Sequence, residues 1–199
     1  MPDKRPLYMN EAEAALPLPL RLASGQLIDL YDLPPVALTV ETIAHTLSHI
    51  NRFGGHTFRP YSVAEHSCLV AALADSSFQL DGLLHDAAEA FCGDVISPIK
   101  RRLQGFDPIE EMVAHQIADF HGLPRGFAHN PFVKAADLLA LKLEQNYFQG
   151  RELDVQVSRT EHEVAQEIFA HVRGDRAEHM AGLFVAMYEQ LSRERPRLQ

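Results

Sequence analysis

The sequence predicts an all-α domain, and three observations carry that prediction. Helix-start patterns recur at Asp107-Pro108-Ile109-Glu110, Asn130-Pro131, Ser158–Glu161 and Asp175–Glu178. In each, a capping side chain is followed by a proline or by an acid at the third helical position. Apolar residues then return every three or four positions, the period of a helix with one buried face. Runs that alternate in steps of two, the mark of a half-buried strand, are almost missing.

Residues 1–22 mix charge with Pro2, Pro6, Pro17 and Pro19. They read as a loosely ordered lead-in with one helical turn at Glu11–Ala15. Ser24-Gly25 is a turn signal, and Leu27, Leu30 and Tyr31 suggest a short strand or hairpin before Pro34-Pro35. Helices are expected over Val40–Phe53, Ser62–Ala74 and Leu80–Phe91. Asp107 is expected to cap a helix whose Ile109, Met112, Val113, Ile117 and Phe120 share a face and which Gly122 and Pro124 end. Asn130-Pro131 opens the next, which reaches Phe148 and stops near Gly150. Val164, Ile168 and Val172 mark one further face; Met180, Leu183, Phe184, Met187 and Leu191 mark the last. Roughly seven helices in one domain, residues 23–199, fit the ~100–200 residues of an ordinary domain.

Composition bounds the function. The chain is 46% hydrophobic, enough for a core without staples. It carries 18 Lys+Arg against 27 Asp+Glu, a net charge of −9. That sign argues against a nucleic-acid polymer as partner, because neutralising phosphates needs a basic face. A small phosphorylated substrate stays open, since a few local cations or a metal suffice for it. Cys68 and Cys92 form no CxxC and no disulfide framework, which points to a reducing cytoplasm. No apolar run approaches the ~18 residues of a membrane span. No basic head precedes an apolar run at the N-terminus, so no secretory signal is expected.

The chemistry is concentrated in Leu83-Leu84-His85-Asp86-Ala87-Ala88-Glu89. Neighbours on a helix differ by about 100°, so His85 and Asp86 reach one point beside the axis. Glu89 falls on the same side. Three ionisable groups in an apolar helix would cost several kcal/mol if buried unpaired, and a cation offsets that cost. Further ligands are available on apolar helices, His66 in Ser62–Ser67 and Asp137 in Lys134–Leu139. Two imidazoles and two carboxylates form a mixed N/O site. Such a site suits one divalent transition metal, Mn, Co, Zn, Fe or Ni, better than Mg or Ca.

The ordered pattern His66, His85-Asp86, Asp137 resembles the HD-domain phosphohydrolase superfamily. Ile50–Phe53, Tyr61–Ser67, His85–Asp94 and Ser97–Lys100 are similar to segments of bacterial 5′-deoxynucleotidases and of phage dATP triphosphohydrolases. The similarity covers roughly Ser24 to Phe148. It implies an HD-domain helical bundle with His66, His85, Asp86 and Asp137 on the metal and Glu89 as the acid/base that handles water. It also implies Asp94 near the sugar or leaving oxygen, Arg52 on phosphate, and Lys100 as a second phosphate contact. The implied reaction hydrolyses a nucleotide phosphoester and releases nucleoside plus phosphate or triphosphate. Further divalent ions bridging the substrate are compatible with it, and so is a homo-oligomer, dimeric or larger. The deoxynucleotidases carry a tryptophan after the arginine, thought to exclude a ribose 2′-hydroxyl. This chain has Phe53 there and no tryptophan at all. Arg52-Phe53-Gly54-Gly55-His56 is nearer the phage branch, with His56 a candidate at the pocket mouth.

Other histidines have plainer readings. His45 and His49 have HxxxH spacing but lack an intervening glutamate and an obvious third ligand, so an exposed or partly buried helical pair is expected. A non-catalytic nucleotide or metal sensor built on the same four ligands is the competing class, and the presence of Glu89 weighs against it.

Overall fold

The computed structural model describes residues 16–170 and 176–195, in which helix follows helix with only one small sheet. That sheet pairs β1 (Pro19–Arg21) antiparallel with β2 (Leu27–Asp29), in the register Pro19 to Asp29. Pro19 opens its strand, where a missing N–H does no harm. The hairpin corrects the expected lead-in: Pro19 to Leu22 belong to the fold, and Leu18, Leu20 and Leu22 lean on the core. Leu30 follows the strand, tied by its N–H to the Leu18 carbonyl. The expected turn at Glu11–Ala15 and the cap at Asp175 lie outside the described residues.

Helix α1 (Val40–His49) is capped by the Thr39 hydroxyl and ends earlier than its apolar pattern suggests. Ile50 turns extended, and Asn51 pairs with Ser62 instead. A 3₁₀ turn over Arg52–Gly55 follows, with Phe53 at φ 57° and Gly54 at φ 60°. Two successive left-handed residues cannot continue a helix. Helix α2 (Val63–Leu73) begins with a full capping box between Ser62 and Glu65.

The expected helix over Leu80–Phe91 is broken. Helix α3 (Gln79–Leu84) and helix α4 (Glu89–Cys92) are separated by turns at His85–Ala88. Through the break the bonds run three residues back, from Ala87 N–H to Leu84, Glu89 to Asp86 and Ala90 to Ala87. This is the tighter 3₁₀ winding, and it changes the angles between successive side chains. A one-turn helix α5 (Ser97–Lys100) leads to α6 (Phe106–His121). Helix α6 starts one residue before Asp107. Its cap position is Gly105, in the left-handed region, so Asp107 sits inside the first turn rather than capping it.

Helix α7 (Pro131–Gln149) starts as expected, with the Asn130 side chain accepting from the Phe132 N–H. The capping box at Ser158 and Glu161 opens α8 (Arg159–Ala170). The described part of the chain closes with α9 (Arg176–Glu194), anchored by fully buried Met180 and Phe184. Among the described residues, no helix is long and apolar enough to cross a membrane.

Helix α2 is the axis of the packing. Residues 63–71 are all buried, and the helix touches α1, α3, α7, α8 and α9. Gly82 lets α3 lie close, since a Cβ there would meet Val70 and the Ala71 backbone at 3.4 Å. Fully buried Glu65 accepts from the Ser62 N–H, from Arg59 and, through both oxygens, from Arg176. One carboxylate thereby fastens the start of α9 to the start of α2.

His121, at the end of α6, joins three elements. Its Nε2–H donates to the Leu38 carbonyl at 2.9 Å, so Nδ1 accepts from the Tyr188 hydroxyl at 2.7 Å. Burial lowers its pKa below the usual histidine value, against the pull of the Leu38 carbonyl. The unfolded chain therefore takes up this proton more readily, and stability is lost as pH falls below ~6.5. The difference in urea midpoint between the wild type and His121→Asn is expected to shrink from pH 8 to pH 5. A difference independent of pH would contradict this role.

Candidate metal centre

Three elements bring the predicted ligands together. His66 stands in the middle of α2, His85 and Asp86 occupy the break between α3 and α4, and Asp137 lies on α7. His66, His85 and Asp86 form a group able to hold a metal ion, with ligand atoms all within 4.8 Å of one another. His85 Nε2 lies 3.2 Å from Asp86 Oδ2, and His66 Nε2 lies 3.5 Å from the same oxygen. Asp137 Oδ1 approaches the two imidazole Nε2 atoms at 3.3 Å and 3.8 Å. Ligands ~2.1 Å from a tetrahedral ion would stand about 3.4 Å apart, so these separations fit a metal.

The tautomers strengthen the case. His85 Nδ1 faces the Gly82 carbonyl at 2.7 Å, and a carbonyl only accepts, so Nδ1 carries the proton. His66 Nδ1 faces Glu144 Oε1, again an acceptor. Neutral rings so arranged turn both Nε2 lone pairs inward, 3.3 Å from each other. Two imidazole lone pairs and two carboxylate oxygens then meet with no donor between them.

The electrostatics agree. Burial would raise the Asp86 carboxyl, but His85, His66 and Arg52 hold it well below the carboxylate range. Asp137 is held low in the same way, against burial, by His66 and His85. Burial and Arg52 oppose a second proton on His66, yet Glu144 and Asp137 outweigh them and push its pKa up to about 9. Without a cation, a proton on His66 bridges the carboxylates, and a metal must displace it. Metal affinity is therefore expected to rise about tenfold per pH unit up to roughly pH 9, with one proton released per ion bound. Isothermal titration in buffers of different ionisation enthalpy measures that proton; none released would contradict the arrangement.

A cavity of about 440 Å³ opens beside the centre. Its walls include His85, Asp86, Glu89, Lys100, Glu110, Phe127 and Lys134. Glu89 is buried, and its Oε2 has no hydrogen-bond partner among the described residues. Burial, with Asp86 and then Asp94 nearby, raises its pKa well above the usual carboxyl value. Half-buried Asp94 follows Gly93 on the loop after α4; burial raises its carboxyl and Arg52 opposes the rise.

The remaining predicted residues are placed differently. Arg52 forks onto Glu144 with Nε at 3.3 Å and Nη2 at 3.2 Å, and reaches Asp86 Oδ2 at 3.7 Å. Lys100 lines the cavity but is paired with Glu110 and sits over the Phe106 ring. Phe53 packs beneath the Arg52 guanidinium, 5.4 Å from its ring centre. His56 is exposed, its carbonyl accepting from Gln149, and it does not line the cavity. His45 and His49 are exposed on α1 with their rings 4.5 Å apart, away from the cluster.

Sequence reasoning missed Glu144 and Tyr61. Both are fully buried, and Glu144 accepts from the Tyr61 hydroxyl at 2.8 Å as well as from His66 and Arg52. Its carboxyl is lowered to about 2, because Arg52 and His66 outweigh burial. The signal was present: Glu144 follows Asp137 by seven residues, two turns along the same face of α7.

No family model matches the chain. Two bacterial proteins are similar, and both bear names that call them uncharacterized. YfdR of Escherichia coli (strain K12) is 40% identical over 108 residues, 54% of this chain and 60% of YfdR. The chain thus spans less than two thirds of YfdR's length. RCAP_rcc00048 of Rhodobacter capsulatus is 34% identical over 142 residues, 65% of this chain and 72% of that protein. Identity of that degree over that share makes this chain a member of the same family as the uncharacterized RCAP_rcc00048.

Proposed function

We propose that the chain is a metal-dependent phosphohydrolase of the HD type, acting on nucleotides. One observation carries the reading: two imidazole Nε2 atoms and two carboxylates converge at 3.2–3.8 Å with both Nδ1 protons directed away. His66, His85, Asp86 and Asp137 would hold the ion. A divalent cation bound there supplies Lewis acidity, which acidifies water and draws charge from a phosphoryl oxygen.

Glu89 does the proton work. Burial and Asp86 raise its carboxyl well above the usual value, so it keeps its proton to higher pH than an ordinary glutamate. It stands in the cavity wall, and one oxygen has no partner among the described residues. As water's oxygen bonds to phosphorus, the bond to the nucleoside 5′-oxygen breaks. Glu89 gives its proton to that leaving oxygen and recovers one from the water. The cavity volume lies within the ~300–1,000 Å³ of small-ligand pockets. Arg52, fixed by Glu144 beside Asp86, contributes positive charge next to the reacting phosphate.

The test is reconstitution with Mn, Co, Zn, Fe or Ni, followed by incubation with dAMP and dATP and chromatography of products. Phosphate from dAMP or triphosphate from dATP supports the reading and selects between the two chain lengths. No turnover of any nucleotide with any of these metals would sink it.

A further inference from the structure

Arg52, Lys100 and Lys134 stand near the centre, and they are engaged differently. Arg52 is bound to buried Glu144 and is not part of the cavity wall. Lys100 is on the wall, but Glu110 holds its ammonium. Lys134, one turn before Asp137 on α7, also lines the cavity. Its Nζ lies 3.2 Å from Asp137 Oδ2, while Asp137 Oδ1 faces His66 and His85. Asp137 is thus turned two ways, one oxygen to the centre and one to an ammonium on the cavity side. Lys134 shares the cavity wall with His85 and Asp86, so an oxyanion entering from the cavity meets a wall that carries this ammonium as well as two residues of the centre. A lysine ammonium is a compact point charge with three donors, suited to a phosphoryl oxygen. Its side chain is about half exposed, and with three donors the ammonium can face Asp137 and a phosphoryl oxygen together.

We propose that Lys134 is a phosphate-binding residue of this site, taking a phosphoryl oxygen of the substrate while Asp137 holds its ammonium in position. The inference builds on the phosphohydrolase reading and adds a residue to it. The leaving alcohol would then extend along the far wall, past Ala114, Phe127 and Ala128.

Binding of inorganic phosphate to the Mn-loaded protein tests this without requiring turnover. Phosphorus-31 line broadening at low ionic strength compares the wild type with Lys134→Met, which keeps the stem, and Lys134→Arg, which keeps the charge. Phosphate is expected to bind Lys134→Met at least tenfold more weakly, with Mn content unchanged and much of the loss recovered in Lys134→Arg. Equal phosphate affinity in the wild type and Lys134→Met overturns the proposal. So does a wild type that binds no phosphate, or a Lys134→Met protein that loses its Mn, since lysine would then serve only Asp137. If phosphate binding depends on Lys134 but no phosphoester is hydrolysed, the phosphohydrolase reading fails while the phosphate site stands.

Discussion

Replacing Glu89 with glutamine is expected to leave a folded, metal-loaded protein whose turnover is ~10²–10⁴-fold lower, the range lost with a general acid–base group. Glu89 stands outside the His66, His85 and Asp86 cluster, so metal content should not change. Glutamine matches its shape and, like the protonated acid, carries no charge, so the cost to the fold is small. What it lacks is a proton to give. The sign in pH follows from the raised pKa. The protonated form is the donor, so wild-type kcat should fall as pH rises through that pKa, and the residual rate of Glu89→Gln should lose that limb. Full turnover in a metal-replete Glu89→Gln protein would remove Glu89 from the chemistry.

Glu144→Ala is the second large effect, and here stability and metal binding fall together. The substitution strips the acceptor from the His66 ring, the Tyr61 hydroxyl and the Arg52 guanidinium, all in the interior. Breaking a buried ion pair from one side costs about 3–5 kcal/mol. Loss of the carboxylate that orients a ligand histidine typically weakens metal affinity ~10–100-fold. Glu144→Gln keeps an acceptor for His66 but not the charge facing Arg52, and should fall between. Urea unfolding and competition against a chelator measure the two losses. If the alanine variant does not fold, the glutamine variant decides: wild-type metal affinity there would mean that Glu144 is structural alone.

Much of the site was legible because its ligands announce themselves against apolar surroundings. His66 lies among Val63, Val70 and Leu73, and His85 follows Leu83-Leu84, so a polar group at such a position needs a partner. Helix starts were legible wherever a side chain makes the cap, as at Asn130 and Ser158. They were misjudged at Gly105, where the start depends on a left-handed backbone that leaves no side-chain signature. The break at His85–Ala88 was invisible for a related reason. Leu80 to Phe91 contains no proline and keeps a helical pattern, and the tightening shows only in which carbonyl each N–H finds. Glu144 escaped notice because its purpose is set by Arg52, Tyr61 and His66, which are far from it in the chain. Arg52 was singled out as a residue of the site, but its bond to Glu144 is a tertiary fact.

The close approach at Gly82 has a consequence for how this centre could change over time. The gap between the two imidazoles is set by how near α3 rests on α2, and at Gly82 nothing but hydrogen separates the helices. A methyl would just touch Val70 and Ala71, so alanine is near the limit. Valine or leucine would wedge the helices apart and carry His85 away from His66. Residue 82 thus works as a spacer gauge: its size limits how near α3 can rest on α2, and with it how near His85 can stand to His66.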